Sequence, residues 1–172
     1  VYEGAFIMAK SKELKISVRN LVEFIYRGGD INSTGLGTRN PEAMQLGSKI
    51  HKKIQKSMGI GYRSEVPLFT YVTLASKENG EPFTLKVEGR ADGIFQDDSE
   101  ILVDEIKGVY LDIRQLKEPL LVHKAQAMCY AYMICEMENP AFISVQVTYC
   151  HLESEEIRRF KTTYSREEIL SW

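Results

Sequence analysis

Three side chains that could share one chemical site, Asp92, Glu105 and Lys107, lie in two neighbouring runs that favour β-strands. The runs span residues 87–95 and 103–108, and the turn-forming letters Gln-Asp-Asp-Ser-Glu separate them, so they predict one β-hairpin. A two-residue turn at the centre of that cluster would set Asp92 opposite Glu105 and put Lys107 on the same face. Opposed carboxylates repel each other unless a cation lies between them. A divalent metal ion beside the lysine satisfies this pattern.

Each of these charges could instead be an ordinary solvated residue on a strand surface. Glu105, however, lies in Ile-Leu-Val-Asp-Glu-Ile-Lys at 101–107, whose apolar residues predict an interior strand, where an unpaired charge is costly. Glycines flank Asp92 in Gly-Arg-Ala-Asp-Gly at 89–93, as happens where a ligand or another backbone approaches closely. We therefore interpret the two acids and the lysine as one functional site. Asp104 faces the other side of a regular strand and is not included.

A histidine on a predicted helix supplies a candidate third ligand. Asn40 as cap and Pro41 at the first position predict a helix that runs to about Met58. His51 lies within it, one turn after Gly47. A single helical histidine is usually not a ligand, but this glycine would let the helix approach a sheet or a substrate. One imidazole with two carboxylates suits Mg²⁺ or, given the nitrogen donor, Mn²⁺.

The same helix carries a basic stripe with the spacing i, i+3, i+4 and i+7. Its members are Lys49, Lys52, Lys53 and Lys56. Such a stripe is most often a solvated helix face, and the alternative is a surface that contacts DNA phosphates. The net charge of the chain is −2, so any binding of nucleic acid would depend on a local patch or a metal.

A later helix, predicted from Pro119 to about Met137, carries Gln126 and Tyr130 at i and i+4, so the two share one face. Two polar residues at the rim of an ordinary amphipathic helix have the same spacing. A glutamine amide and a tyrosine hydroxyl on one face would also suit the holding of a phosphate backbone. His123 is interpreted as a residue of the helix start that borders this face.

The remaining elements complete an α/β (α+β) fold in which helices flank a central mixed β-sheet. The predicted order is helix, helix, three strands, helix, two strands, helix. The predicted ranges are helices at 17–27, 40–58 and 119–137, strands at 64–75, 83–95, 103–108, 142–152 and 157–164, a loop at 30–40, and a final helix opened by the capping box Ser165–Glu168.

A chain of 172 residues is expected to form one domain with a sizeable core. We assign residues 1–16 to an N-terminal extension and residues 17–172 to the domain, which we expect to be part of a longer protein. Met8 is a candidate for the natural start, in which case residues 1–7 are foreign to the chain, and the sequence leaves this open. No apolar run approaches the roughly 20 residues that span a bilayer.

Cysteine usage points to a reducing compartment. Cys129, Cys135 and Cys150 are odd in number and contain no CxxC pair, so we expect free thiols in the cytoplasm. An iron–sulfur cluster would need a fourth ligand, which is not evident in the sequence.

Taken in this order, the motifs resemble the PD-(D/E)XK nuclease superfamily, in particular its RecB-like branch. The resemblance spans about residues 17–152 and implies a restriction-endonuclease-like core. It rests on Gly47-Ser-Lys-Ile-His51, Gly89-Arg-Ala-Asp92, Glu105-Ile-Lys107 and Gln126-x-x-x-Tyr130.

The resemblance also implies a role for each motif residue. A metal ion would be bound by His51, Asp92, Glu105 and the main-chain carbonyl of Ile106. Lys107 would position or activate the attacking water. Gln126 and Tyr130 would support the site and the DNA.

Within this branch, CRISPR-associated nucleases carry an iron–sulfur cluster held by cysteines near both ends of the domain. No cysteine precedes Cys129 in this sequence, so no cluster is expected. The opening Ile-Ser-Val-Arg-Asn-Leu-Val-Glu-Phe-Ile and the abrupt chain end also look like nuclease domains fused ahead of XPD-like helicases in bacteria.

The resemblance thus implies a metal-dependent, exonuclease-like DNA nuclease of repair or recombination. Its expected partners are single-stranded DNA or duplex ends and a helicase domain, with no membrane. Two alternatives stay open: an inactive nucleic-acid-binding module of the same fold, and a metal-dependent enzyme that acts on RNA or on another phosphodiester.

Overall fold

The computed structural model describes residues 12–26 and 41–172, and a six-stranded sheet with flanking helices runs through them. The strands are β1 Lys12–Ser17, β2 Tyr62–Ala75, β3 Pro82–Gln96, β4 Ile101–Val109, β5 Phe142–His151 and β6 Ile157–Ser165. The helices are α1 Val18–Ile25, α2 Pro41–Ser57, α3 Leu121–Glu138 and α4 Arg166–Ser171, with a 3₁₀ turn at Ile113–Gln115. The predicted fold class, a mixed sheet flanked by helices, is confirmed.

Strand β3 organises the sheet because it pairs with three neighbours. The order is β1-β3-β4-β5-β6, and β2 pairs with β3 along almost its whole length. On the opposite edge of β3, the parallel strand β1 covers residues 83–88 and the antiparallel strand β4 covers residues 93–96. Residues 89–92 of β3 therefore have no strand partner on that edge among the described residues. This gap contains the glycine-flanked motif singled out from the sequence.

The β3–β4 hairpin has the predicted register. The backbone N–H of Asp97 donates to the carbonyl of Glu100 at 3.0 Å, which leaves a two-residue turn at 98–99. The Asp97 carboxylate accepts the backbone N–H of Glu100 at 2.9 Å and so closes the turn from within. Gly93 pairs with Asp104 in the ladder that follows.

Helices cover both faces of β4. Val103 belongs to the main core around α3, whereas Ile106 packs with Ile50 and Ile54 of α2. Because successive strand residues alternate faces, α3 and α2 lie on opposite faces of this strand. Helix α3 has buried residues on all sides, as expected for a helix held between the sheet and other helices. The main core includes Val18, Val22, Ile94, Val103, Met128, Met133, Ile134, Ile143, Val145 and Ile169.

Several predicted helix boundaries are confirmed. The Ser17 hydroxyl accepts the backbone N–H of Asn20 and caps α1, and Ser165 forms the predicted capping box with Glu168. Helix α2 begins at Pro41 as predicted. The predicted cap Asn40, the loop at 30–40 and the candidate start Met8 lie outside the described residues.

Two elements differ from the prediction. Strand β1 was not predicted, and its residues 12–16 lie in the range assigned to the N-terminal extension. Helix α3 begins at Leu121 rather than Pro119, because Leu120 is its cap and donates its own N–H to the hydroxyl of Tyr149 at 2.9 Å. None of the described helices combines the length and apolar character needed to cross a membrane.

Candidate active site

Asp92 lies where β3 has no strand partner, and its carboxylate fills part of the gap. Its Oδ2 accepts the backbone N–H of Ile106 at 2.7 Å. The ladder between β3 and β4 ends at Gly93 and Asp104, so Asp92 and Glu105 are not a regular cross-strand pair although the predicted register aligns them. The hydrogen bond from the Ile106 N–H holds the Asp92 carboxylate at the opening between β3 and β4.

Tyr130 of α3 closes the same gap from the helix side. Its hydroxyl accepts the backbone N–H of Arg90 at 3.2 Å. This approach requires a glycine nearby, because a Cβ at Gly89 would lie 2.5 Å from the Tyr130 hydroxyl oxygen. Tyr130 therefore supports the backbone that carries Asp92, and it does not line the open groove described below.

Glu105 and Lys107 form a close ion pair on β4. The Lys107 Nζ lies 2.6 Å from Oε1 of Glu105, and Glu105 is buried, with 5% of its surface exposed. Burial raises the pKa of Glu105 above its ordinary value, and the positive charge of Lys107 opposes this shift. The negative charge of Asp92 adds to the rise. A buried acid held beside a cation and a second acid is typical of functional sites.

His51 reaches this cluster from α2. Its Nδ1 lies 3.5 Å from Oδ1 of Asp92. Burial disfavours protonation of the imidazole, but the hydrogen bond to Asp92 and the charge of that carboxylate outweigh burial and raise the His51 pKa above its usual value. Residues from α2, β3 and β4 thus meet as the sequence predicts for His51, Asp92, Glu105 and Lys107.

A further acid, Glu65 of β2, joins the cluster and was not predicted. Ligand atoms of His51, Glu65 and Asp92 all lie within 4.8 Å of one another. Gln55, one turn after His51, donates its amide to Oε1 of Glu65 at 3.0 Å and to the carbonyl of Asp92 at 2.8 Å. The Nη1 atom of Arg90 lies 3.4 Å from Oε2 of Glu65. These contacts fix Glu65 against the helix that carries the histidine.

An open groove of about 330 Å³ borders the cluster. Residues of α1, α2 and α3 and residues 106–109 of β4 line it. A Cβ added at Gly47 would meet nothing within 4 Å. Gly47 therefore keeps the groove open rather than relieving a clash inside the protein. The lining residues are Arg19, Glu23, Gly47, Ser48, His51, Ile106, Lys107, Gly108, Val109, Val122, His123 and Gln126.

The two polar residues of α3 have different positions. Gln126 lines the groove, whereas Tyr130 contacts the backbone of β3. The Ile106 side chain packs against α2, and its N–H is bonded to Asp92; a metal-binding role of its carbonyl stays a prediction. His123, assigned from the sequence to the helix start, lines the groove.

Asp104 faces away from this site, as predicted. It is fully buried, and its carboxylate accepts hydrogen bonds from Thr148 at 2.6 Å, Gln146 at 3.1 Å and Tyr62 at 3.1 Å. Burial raises its pKa, while these donors oppose the rise. Asp104 is thus an internal polar anchor on the face opposite Glu105.

The basic stripe of α2 divides in two. All four lysines are exposed, and Lys53 in addition forms an ion pair with Glu155.

The three cysteines have free thiols, and burial raises the pKa of each one. Cys135 belongs to the main core and Cys150 to the cluster beneath α2.

Comparison with known proteins yields a likeness of fold. No protein-family model matches the chain, and a search of curated proteins finds no match. Among solved structures, the crystal structure of SSO0001 matches with a TM-score of 0.55 and 20% sequence identity, over 91% of this chain and 72% of that chain. At this identity the match indicates a shared fold and carries no activity with it.

Proposed function

We propose that the chain is a metal-dependent nuclease that hydrolyses phosphodiester bonds of DNA in the groove beside α2. The observation that carries this proposal is the convergence of Asp92, Glu105 and Lys107 with His51 at the edge of an open groove. Buried acids, a lysine and an imidazole from separate elements are the groups that metal-assisted phosphodiester hydrolysis uses.

The donor atoms fit a divalent cation. His51, Glu65 and Asp92 offer one nitrogen and carboxylate oxygens within 4.8 Å of one another, a set that suits Mn²⁺ or Mg²⁺. The family resemblance implies Glu105 and the Ile106 carbonyl as further ligands; Glu105 pairs with Lys107, and the N–H of Ile106 is bonded to Asp92. A bound ion would lower the pKa of a water molecule and offset negative charge on the scissile phosphate.

The protein's own residues prepare the groove for an anion. Lys107 keeps its ammonium group against the buried carboxylate of Glu105, so a cation stays in place beside the groove. A fixed charge of this kind stabilises negative charge that develops on a phosphate oxygen during hydrolysis. Tyr130 and Gly89 support Asp92 indirectly by fixing the unpaired part of β3.

The test is digestion of labelled DNA, linear and circular, single- and double-stranded, with Mn²⁺, Mg²⁺ or EDTA. We expect cleavage with metal alone, and a loss of at least about 100-fold in Asp92→Asn and Lys107→Met. Asp104→Asn is the matched control, because Asp104 lies beside Glu105 in the chain but on the other face of β4. Cleavage by both site variants at the rate of the parent would exclude this site.

The same experiment separates the alternatives. DNA binding without cleavage under every metal condition would favour a binding module of the same fold. Cleavage of labelled RNA in preference to DNA would favour a ribonuclease. The wider setting, DNA repair or recombination in the cytoplasm alongside a helicase domain, is proposed from the family resemblance and from the free thiols.

A further inference from the structure

We propose that His123 donates a hydrogen bond from its Nε2–H to a phosphate oxygen of the strand bound in the groove. The proposal rests on the proposed function, since it assumes that the groove holds nucleic acid. It adds to the site a residue that the sequence motifs do not include.

The imidazole of His123 is held in one orientation by Tyr149. Its Nδ1 lies 2.9 Å from the Tyr149 hydroxyl, and that hydroxyl accepts the backbone N–H of Leu120 at 2.9 Å. This contact allows either direction, and the proposal assigns the Tyr149 hydroxyl as the donor to Nδ1, since its oxygen already accepts the N–H of Leu120. The remaining proton of a neutral imidazole then resides on Nε2.

The His123 side chain lines the groove. His123 is 7% exposed and is one of the groove residues. With Nδ1 held by Tyr149, the opposite side of the ring carries Nε2, and we infer that this side is the part of His123 that borders the groove.

The surroundings keep this donor neutral. Burial, followed by the positive charges of Lys107 and Arg19, lowers the pKa of His123 to about 3. At neutral pH the residue is thus a hydrogen-bond donor of fixed direction rather than an acid or a base. The lining also contains Lys107, which pairs with Glu105, and Arg19, which pairs with Glu23 of the same groove. For a neutral N–H donor beside these cations, an anionic oxygen is the ligand that suits.

Two amide variants separate a role in binding from a role in packing. The Oδ1 of His123→Asn can reach the position of Nδ1 and keep the Tyr149 contact, but the side chain leaves no donor at the position of Nε2. His123→Gln can place its amide N–H near the position of Nε2 while weakening the Tyr149 contact. A packing role predicts that the glutamine variant is the impaired one, and the proposal predicts the reverse.

We would measure cleavage rates over a range of DNA concentrations, and binding of a fluorescent single-stranded oligonucleotide in EDTA. For His123→Asn we expect the free energy of unfolding of the parent. Its affinity for the oligonucleotide should be about 10-fold weaker, the usual effect of losing a hydrogen bond to a charged group. His123→Gln should retain most of the affinity. Parent-like affinity in the asparagine variant, or greater loss in the glutamine variant, would overturn the proposal. Because binding is measured without metal, a chain that binds but never cleaves would refute the nuclease proposal and leave this one intact.

Discussion

At the scale of single residues, Glu65 combines backbone strain with a position in the candidate metal group. It has a φ of 55°, in the left-handed region that costs a residue with a Cβ about 1–2 kcal/mol. Its carboxylate nevertheless lies with His51 and Asp92. Strained residues of this kind persist where the surrounding contacts hold them, and they concentrate at functional sites. Glu65 thus has the features of a ligand that the fold retains at a cost in stability.

Paired substitutions at Glu65 separate the strain from the ligand. Glu65→Ala and Glu65→Gly both remove the carboxylate, but only glycine relaxes the left-handed backbone, so we expect the glycine variant to be more stable by about 1 kcal/mol. Mn²⁺ should raise the melting temperature of the parent chain more than that of either variant. Urea unfolding and thermal melts in EDTA and in Mn²⁺ would measure both effects. Equal stability of the variants would argue against strain, and equal Mn²⁺ effects in all three proteins would argue against ligation.

The neutral state of His123 makes a prediction about acid stability. Its folded pKa of about 3 lies below the ordinary value of 6.5, so the unfolded chain binds more protons than the folded chain between these two pH values. The free energy of unfolding should therefore fall by about 1.4 kcal/mol for each pH unit below 6.5 because of this residue, and it should be independent of His123 above that pH. Urea unfolding of the parent and of His123→Asn from pH 7.5 to 4.5 would measure the difference. Parallel stability curves would contradict a buried neutral imidazole.

At the scale of secondary-structure elements, the site depends on the gap in the edge of β3. Strands β1 and β4 share that edge and leave residues 89–92 without a ladder partner among the described residues. Tyr130 and the Asp92 carboxylate bond to the backbone around this gap. The interruption of the sheet thus allows Asp92 to lie beside an opening rather than within a continuous ladder.

The contact between Gly89 and Tyr130 can be tested by a double-mutant cycle. A Cβ at residue 89 would lie 2.5 Å from the buried Tyr130 hydroxyl, so we expect Gly89→Ala to lower the free energy of unfolding by about 1–3 kcal/mol. Tyr130→Phe should lower it by about 1 kcal/mol through the lost hydrogen bond. In the double variant the missing hydroxyl removes the closest contact and leaves the ring carbon Cε1 at 3.0 Å. The loss of stability in the double variant should therefore be smaller than the sum of the two single losses. Additive losses would show that the two residues do not interact.

The sequence predicts those parts of the site that depend on residues close together in the chain. The turn between β3 and β4 is closed by Asp97, two residues before Ser99, so counting from it gives the correct register. The turn between β2 and β3 is longer, because the backbone N–H of Ser76 donates to the carbonyl of Glu81 across residues 77–80, and Ser64 pairs with Gly93. This register brings Glu65 level with Asp92, but no letter of the sequence marks the length of that turn, so Glu65 could not be found by counting.

Signals that depend on distant partners are not readable in the same way. Strand β1 pairs in parallel with β3, about 70 residues further along the chain, and parallel pairing has no turn that marks its register. The delayed start of α3 at Leu121 depends on a hydrogen bond from Leu120 to Tyr149 of β5. The position of His123 in the groove depends on that same contact. Tertiary contacts of this kind decide local boundaries that propensity alone cannot.

At the scale of the whole molecule, a net charge of −2 means that attraction to DNA must come from local groups. Lys107 and Arg19 line the groove but are each paired with an acid, Glu105 and Glu23, and α2 adds the exposed lysines of its basic stripe. Each helix residue is rotated by about 100° from the one before it. Lys52 therefore lies about a quarter turn from His51, on the side away from the buried Ile50, whereas Lys53 points in nearly the opposite direction to His51 and pairs with Glu155.

The salt dependence of binding can show whether the basic stripe is a solvated face or a surface that contacts DNA phosphates. Each phosphate that the protein neutralises releases counterions, so the salt dependence reports the number of such contacts. For single-stranded DNA, the slope of log K against log salt concentration changes by about 0.7 for each phosphate contact. If the stripe beside the groove contacts DNA, Lys52→Gln should weaken binding and reduce the slope by about that amount. Lys53→Gln should leave the slope unchanged, since its ammonium group is paired on the far side of α2. Oligonucleotide binding in EDTA from 20 to 200 mM salt would measure both slopes, and equal slopes in the parent and both variants would show that the stripe is a solvated face.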